Sequence, residues 1–180
     1  MNPLNPCRNS DSQHTKPVTL AFRRSELLYD AANYSFVEGD IMEADDEHAR
    51  HQVFDIAEKG NIDRVTRVLN LAHAECVEML FPYSKEDIPE GQEPMTDVMA
   101  APEVYRIVLN LPDGFSLTTL RLLTHLVHEY LVCRVLADWM SITNPDSEET
   151  WEKKFRELKM KIQTSLVSRT GKVRRKCKPF

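Results

Sequence analysis

The sequence predicts a mainly α-helical, single-domain bundle of about five helices, with a small two-stranded β-hairpin and flexible termini. Apolar residues recur at steps of three and four along most of the chain, as on one face of a helix, and one stretch alternates as a strand does. A length of 180 residues, with 42% hydrophobic and 28% charged side chains, suits one soluble core. We therefore expect a disordered leader over residues 1–16, a helical domain over 17–167 and a basic C-terminal arm over 168–180.

The first ordered segment, VTLAF at 18–22, is predicted to form a short strand or an extended arm. Ser25 is predicted to cap a first helix that runs through about Val37, because a serine hydroxyl accepts a hydrogen bond from the free amides of a helix start. The EGD sequence at 38–40 is expected to end this helix.

Two further helices are predicted, joined by a turn at Gly60-Asn61. Asp45 and Asp46 favour the start of the earlier helix, since negative charge is stabilising at that end. The later helix is predicted over 62–80, where apolar residues recur at three- and four-residue steps.

Residues 84–102 contain three prolines and five acidic residues and are predicted to form a long surface loop. The sequence VYRIVLNLP at 104–112 alternates and is rich in β-branched residues, which predicts a strand. Its hairpin partner is predicted to be LFPYSK at 80–85, the nearest extended sequence across the loop.

The longest apolar stretch predicts a helix that begins after a Ser116 cap and continues to about Met140. It is apolar nearly all round, which is typical of a central helix packed on several sides. After the break at 143–147, a last helix is predicted over about 148–167.

Two pairs of histidines have the same three-residue spacing: His48 with His51, and His125 with His128. Side chains three residues apart share a helix face, so four such ligands could hold a metal ion. The spacing differs from that of zinc proteases and di-iron bundles, and it equally fits ordinary surface pairs such as His125 with Glu129. The sequence therefore favours surface pairing and predicts no metal or other cofactor.

Arg134 and Asp138 fall near the apolar stripe of the central helix, four residues apart. A buried charge requires a partner, and this spacing allows the two side chains to pair with each other. The prediction is a structural ion pair inside the bundle or at a subunit contact; the alternative is a binding site between helices.

Most common enzyme classes lack their motifs here. There is no nucleophile elbow, P-loop or dinucleotide-binding fingerprint, and the five glycines make a phosphate-binding loop improbable. The four cysteines are far apart and are interpreted as free thiols. No apolar run approaches the length of a membrane span and no secretory signal is evident. We expect a cytoplasmic protein that is not an enzyme.

Charge is distributed unevenly along the chain. Six of the 23 basic residues lie in the last thirteen positions with no acid among them, so residues 1–167 carry 17 basic and 28 acidic residues, a net charge of −11. The arm is interpreted as a contact for phosphate backbone without sequence reading, for an acidic protein surface, or as a solubilising end. Its basic residues are Arg169, Lys172, Arg174, Arg175, Lys176 and Lys178.

The last third, with LNLPDGF, LTHLVHEYLVCRVLADWMSITNP, WEKKFRELKMKIQTSL and the closing RRKCKPF, resembles uncharacterised proteins encoded among the virion structural genes of tailed phages and prophages of gut anaerobes. The resemblance covers roughly residues 25–180, and in general form the chain is similar to small helical head–tail connector proteins. It implies a structural role in virion assembly, through contacts with other virion proteins or with copies of the same chain, and a place in the virion once assembled.

The sequence thus carries three functional hypotheses. The first is a non-enzymatic virion assembly protein, with a neck or connector component as its specific form. The second is a nucleic-acid-associated protein that uses the basic arm for non-specific contact with DNA backbone. The third is a helical metal enzyme built on the paired histidines.

Overall fold

The computed structural model describes residues 15–42, 47–86 and 99–167. Over these residues it contains five α-helices and one two-stranded antiparallel sheet, which confirms the predicted class. The elements are β1 (Thr15–Arg23), α1 (Arg24–Ile41), α2 (Glu47–Phe54), a 3₁₀ turn (Asp55–Ala57), α3 (Ile62–Met79), β2 (Val104–Pro112), α4 (Leu117–Thr143) and α5 (Pro145–Val167). No helix in these ranges combines the length and the apolar character needed to cross a membrane.

Several predictions fall on other parts of the chain. Residues 1–14 of the predicted leader, the acidic residues 45 and 46, most of the predicted loop (87–98) and the basic arm lie outside the described residues. The last two residues of the predicted leader, Thr15 and Lys16, belong to β1.

The strand at 104–112 is confirmed, but its predicted partner at 80–85 is wrong. β2 pairs with β1 over its whole length, from Thr15 opposite Pro112 to Arg23 opposite Val104. The segment after α3 contacts the edge of β2 that does not pair with β1. In this contact the Asn110 amide donates a backbone hydrogen bond to the Tyr83 carbonyl at 2.8 Å. Nearness in sequence therefore identified a neighbour of the strand and not its partner.

The sheet has one face on the core and one face in solvent. In β2 the residues at odd positions are buried, and those at even positions are exposed except at the two half-buried ends. In β1 the buried residues are Leu20 and Phe22. This alternation is what a strand with a single covered face requires, because successive side chains point to opposite faces.

Helix α4 is the central element, as predicted. The Ser116 hydroxyl accepts a hydrogen bond from the Thr119 amide at 3.5 Å, so the expected cap is present. Twelve of the 27 residues of α4 are buried, on more than one side, and the helix contacts α1, α2, α3 and α5. Helix α5 begins at Pro145, before the predicted residue 148, because proline is well suited to the first turn of a helix.

The start and end predicted for α1 are both wrong. The residue before the helix is Arg23, which makes no side-chain cap, and Ser25 lies inside the first turn. The helix continues through residues 38–40 to Ile41. Gly39 does not break it because this glycine is buried under the Phe54 ring, where the absence of a side chain lets α1 and α2 approach each other.

Replacement of Gly39 by alanine should destabilise the protein. An added Cβ would overlap the Phe54 ring, and overpacking of this kind costs about 1–3 kcal/mol, whereas alanine gains only about 1 kcal/mol in helix propensity. We expect a net loss of up to about 2 kcal/mol in the free energy of unfolding, measured by urea denaturation. Gly60→Ala is the matched control, since nothing lies within 4 Å of its added Cβ. An unchanged midpoint for Gly39→Ala would contradict the close approach.

Candidate functional site

An apolar groove of about 620 Å³ lies between the N-terminal half of α4 and the C-terminal half of α5. Leu122, Leu126 and Met160 supply its apolar wall, and Glu157 and Lys161 lie at its polar edge. Leu122 and Met160 are 52% and 67% exposed. Large apolar side chains grouped in a groove are typical of an interaction surface, whereas single exposed ones are ordinary. We call these lining residues the α4–α5 groove.

A second exposed apolar surface runs along the outward face of α1. Tyr29, Phe36, Val37 and Ile41 are between 56% and 68% exposed. At 100° per residue Tyr29, Phe36 and Val37 fall on the side of the helix opposite its buried residues, and Ile41 lies at the border between the two sides. We call these four residues the α1 ridge. A helix that is apolar on both sides has one face for its own core and a second, outward face. On that outward face Phe36 stacks on the Phe54 ring of α2, with centroids 5.1 Å apart, and all four side chains stay more than half exposed.

The structure separates the two histidine pairs. His48 and His51 are exposed on α2, where the His51 ring contacts the edge of Phe54 with centroids 5.8 Å apart. His128 lies against α1 instead, with its Nε2 atom 2.7 Å from an oxygen of Asp30. No group of three His, Cys, Asp or Glu side chains suited to a metal ion occurs within 15–42, 47–86 and 99–167.

Arg134 and Asp138 are paired across helices rather than with each other. The Arg64 guanidinium donates to Asp138 Oδ2 from both Nε and Nη2, at 3.2 and 2.9 Å. Arg134 Nε lies 3.6 Å from Glu75 Oε2, and its guanidinium covers the Phe155 ring at 5.5 Å. Helix α3 packs on this side of α4 and brings opposite charges to both residues. The pairs are half-buried, and they fix α3 antiparallel to α4.

Glu75 also anchors a buried polar contact that the sequence did not reveal. The Tyr130 hydroxyl donates to Glu75 Oε2 at 2.6 Å, and burial raises the pKa of Tyr130 well above its usual range, with the Glu75 carboxylate adding to the effect. One feature of the sequence indicated that Glu75 faces α4 together with Arg64. The two residues are eleven positions apart, about three helical turns, and therefore share a face of α3.

Two free thiols, Cys76 on α3 and Cys133 on α4, are buried in the core. Burial raises the pKa of Cys133 to about 11, although nearby Lys154 acts in the opposite direction. Burial also raises the pKa of Cys76 well above that of a free thiol, and Glu75 adds to it. Since the thiolate is the reactive form, both side chains are inert core residues at neutral pH.

The six basic residues of the predicted arm lie outside the described residues, and their role as a contact for DNA or for an acidic surface stays a prediction. The sequence did not predict the α4–α5 groove or the α1 ridge. It showed that α4 and α1 are rich in apolar residues, but not which of those residues other helices would leave uncovered.

Comparison of the chain with models of protein families, with curated proteins and with solved structures found no match. A function for this chain must therefore be inferred from its sequence and from the surfaces described above.

Proposed function

We propose that the protein is a non-enzymatic assembly protein of phage or prophage virions, in the manner of a head–tail connector component, and that it acts by binding copies of itself. The observation that carries this proposal is the presence of two exposed apolar surfaces on one chain, the α4–α5 groove and the α1 ridge. The virion setting is supported by the sequence resemblance alone.

The two surfaces are complementary in kind. A groove between two helices is a common receptor for the apolar face of a third helix, and the α1 ridge is such a face. An interface between two different surfaces of identical chains is head-to-tail, and it generates rings when the rotation closes and filaments when it does not. The α4–α5 groove therefore has a second copy of this chain as its proposed occupant.

A chain cannot fill its own groove with its own ridge. The Trp151 indole donates to Glu38 Oε1 at 3.1 Å, which holds α1 against the N-terminal part of α5. The groove uses the other end of α5, from Glu157 onward, and Trp151 and Met160 are about 13 Å apart along the helix axis. The ridge also faces away from the side of α1 that contacts the bundle.

Sedimentation velocity over a range of concentrations tests the proposal. The wild-type chain should form oligomers as its concentration rises, and Leu122→Gln should weaken this association about tenfold or more, the usual effect of removing one well-placed apolar contact. Ile142→Gln is the matched control, because Ile142 is on the same helix and is 56% exposed against 52% for Leu122. A chain that stays monomeric at every concentration would contradict the proposal.

A further inference from the structure

A second groove, of about 690 Å³, lies between α3 and the first residues of β2. Its wall includes the apolar side chains of Val68, Leu71 and Val104, and Leu71 is 53% exposed. It shares no lining residue with the α4–α5 groove and none with the α1 ridge. Whatever it binds is therefore independent of the proposed self-association.

Two exposed arginines, Arg67 and Arg106, lie along this groove. Neither forms an ion pair with any residue in the described part of the chain, whereas Arg64 one turn earlier is neutralised by Asp138. Residues 1–167 carry 28 acidic and 17 basic side chains. Asp138 also lines the groove, but its carboxylate is already bonded to Arg64. Within the described residues the guanidiniums of Arg67 and Arg106 therefore have no carboxylate partner, and they form a local positive site beside an apolar wall.

The groove is held in shape by hydrogen bonds that do not involve the two guanidiniums. Asn70 donates to the Ala100 carbonyl at 2.8 Å and accepts from the Tyr105 hydroxyl at 2.8 Å. The Arg106 carbonyl lies 3.0 Å from Nε2 of His73. These contacts tie the chain before β2, and β2 itself, to α3. The site is therefore preformed, which lowers the entropy that a ligand loses on binding.

We propose that this groove binds an acidic polypeptide segment of a partner protein. Its carboxylates would pair with Arg67 and Arg106, whose guanidinium forks suit bidentate contact with carboxylate, and an apolar residue between them would cover Leu71. The two arginines favour an acidic ligand, and the exposed apolar wall favours one that also carries an apolar side chain. Either feature alone would fit many other ligands.

Nucleic acid fits the groove less well. Its affinity comes from many phosphate contacts, and single strands add stacking on exposed aromatic rings. Two rings line this groove: Tyr105 is 3% exposed, and His73 packs against it with ring centroids 5.2 Å apart, so little ring surface is free for stacking. Two guanidiniums suffice for a short segment with two or three carboxylates, but they are few for a polyanion that binds through many phosphates.

Fluorescence anisotropy with the full-length chain tests the proposal. The probe is a short fluorescein-labelled peptide of glutamates around a central leucine, and the same peptide with glutamines is its uncharged counterpart. The variant Arg67→Gln with Arg106→Gln should bind the acidic peptide at least tenfold more weakly than wild type, and added salt should weaken wild-type binding. Leu71→Gln should weaken it several-fold. Arg121→Gln, which removes an exposed arginine of α4 outside the groove, should bind as wild type does.

Four results would overturn the proposal: no binding of the acidic peptide to wild type, equal binding of the glutamine peptide, unchanged binding by the double variant, or competition by a thymidine oligonucleotide that depends on the same two arginines. Loss of self-association in the double variant would also overturn it, by identifying the occupant as a second copy. Circular dichroism and thermal melting confirm that each variant is folded, and glutamine preserves helix propensity at residue 67.

Discussion

A one-to-one mixture of a groove variant and a ridge variant should form a complex of two chains and nothing larger. The groove variant carries Leu122→Gln and Met160→Gln, and the ridge variant carries Tyr29→Gln and Ile41→Gln. Each keeps one intact surface, so the ridge of the first chain can enter the groove of the second. The complex then ends, because both remaining surfaces are the altered ones.

Each variant alone has only one of the two surfaces that a contact requires. In a head-to-tail interface every contact needs one groove and one ridge, so either variant by itself should remain monomeric where the wild-type chain forms larger oligomers. Two lost apolar contacts of about 1–2 kcal/mol each correspond to a weakening of roughly thirtyfold or more. All four side chains are at least half exposed, so polar replacements should leave the fold intact.

Light scattering coupled to size-exclusion chromatography gives the mass of each species. A wild-type chain mixed with either variant should show shortened oligomers, because each variant caps one end. If the ridge variant still dimerised by itself, the groove would be binding another groove, and the head-to-tail arrangement would be excluded. If the mixture stayed monomeric, the ridge would not be the occupant of the groove.

The sequence predicted the elements whose evidence is local. The bounds of α3 differ from the prediction by a single residue, because its apolar positions recur regularly and a turn precedes it. Ser116 caps α4 as predicted, while Ser25 does not cap α1. The difference is physical: α1 follows β1 without an intervening turn, and the amide of Arg24 is already bonded to the Glu103 carbonyl at 2.9 Å.

Features that depend on contact between distant segments could not be predicted in this way. The residues that pair with β2 are between 81 and 97 positions earlier in the chain, and nothing in either strand's own sequence specifies the other. Gly39 was predicted from its sequence neighbours to end α1. In the structure it lies inside the helix, where it packs against the Phe54 ring. Arg134 and Asp138 were predicted to pair with each other, which is wrong: the packing of α3 brings Glu75 to Arg134 and Arg64 to Asp138.

The stability of the protein should fall steeply as the pH rises from about 9 to 11. The pKa of Cys133 is raised to about 11 in the folded chain, and burial raises the pKa of Cys76 and of Tyr130 further. In the unfolded chain a thiol ionises near about pH 8.5 and a tyrosine near about pH 10. Below these two unfolded-state pKa values the thiols and Tyr130 are protonated in both the folded and the unfolded chain. Their contribution to stability is therefore fully present.

Above those values the unfolded chain loses protons that the folded chain retains, and each such group lowers the free energy of unfolding by about 1.4 kcal/mol per pH unit. The two thiols together should cost about 2–3 kcal/mol per unit from pH 9 to 10, and Tyr130 adds its share above that. Cys133 stops contributing above its folded pKa of about 11, whereas Cys76 and Tyr130 continue. A domain whose total stability lies near the lower end of the usual range of about 5–15 kcal/mol should therefore unfold in this range.

Urea denaturation at a series of alkaline pH values, in the presence of a reducing agent, measures the slope. In Cys133→Ala the decline from pH 9 to 11 should be shallower by about 1.4 kcal/mol per pH unit, because one of the retained protons is gone. In Tyr130→Phe the slope should be unchanged below about pH 9.5 and shallower only above it. A wild-type stability that stayed constant from pH 8 to 10 would mean that the thiols reach solvent in the folded chain. The two variants thus assign the loss to particular side chains, which the wild-type curve alone cannot do.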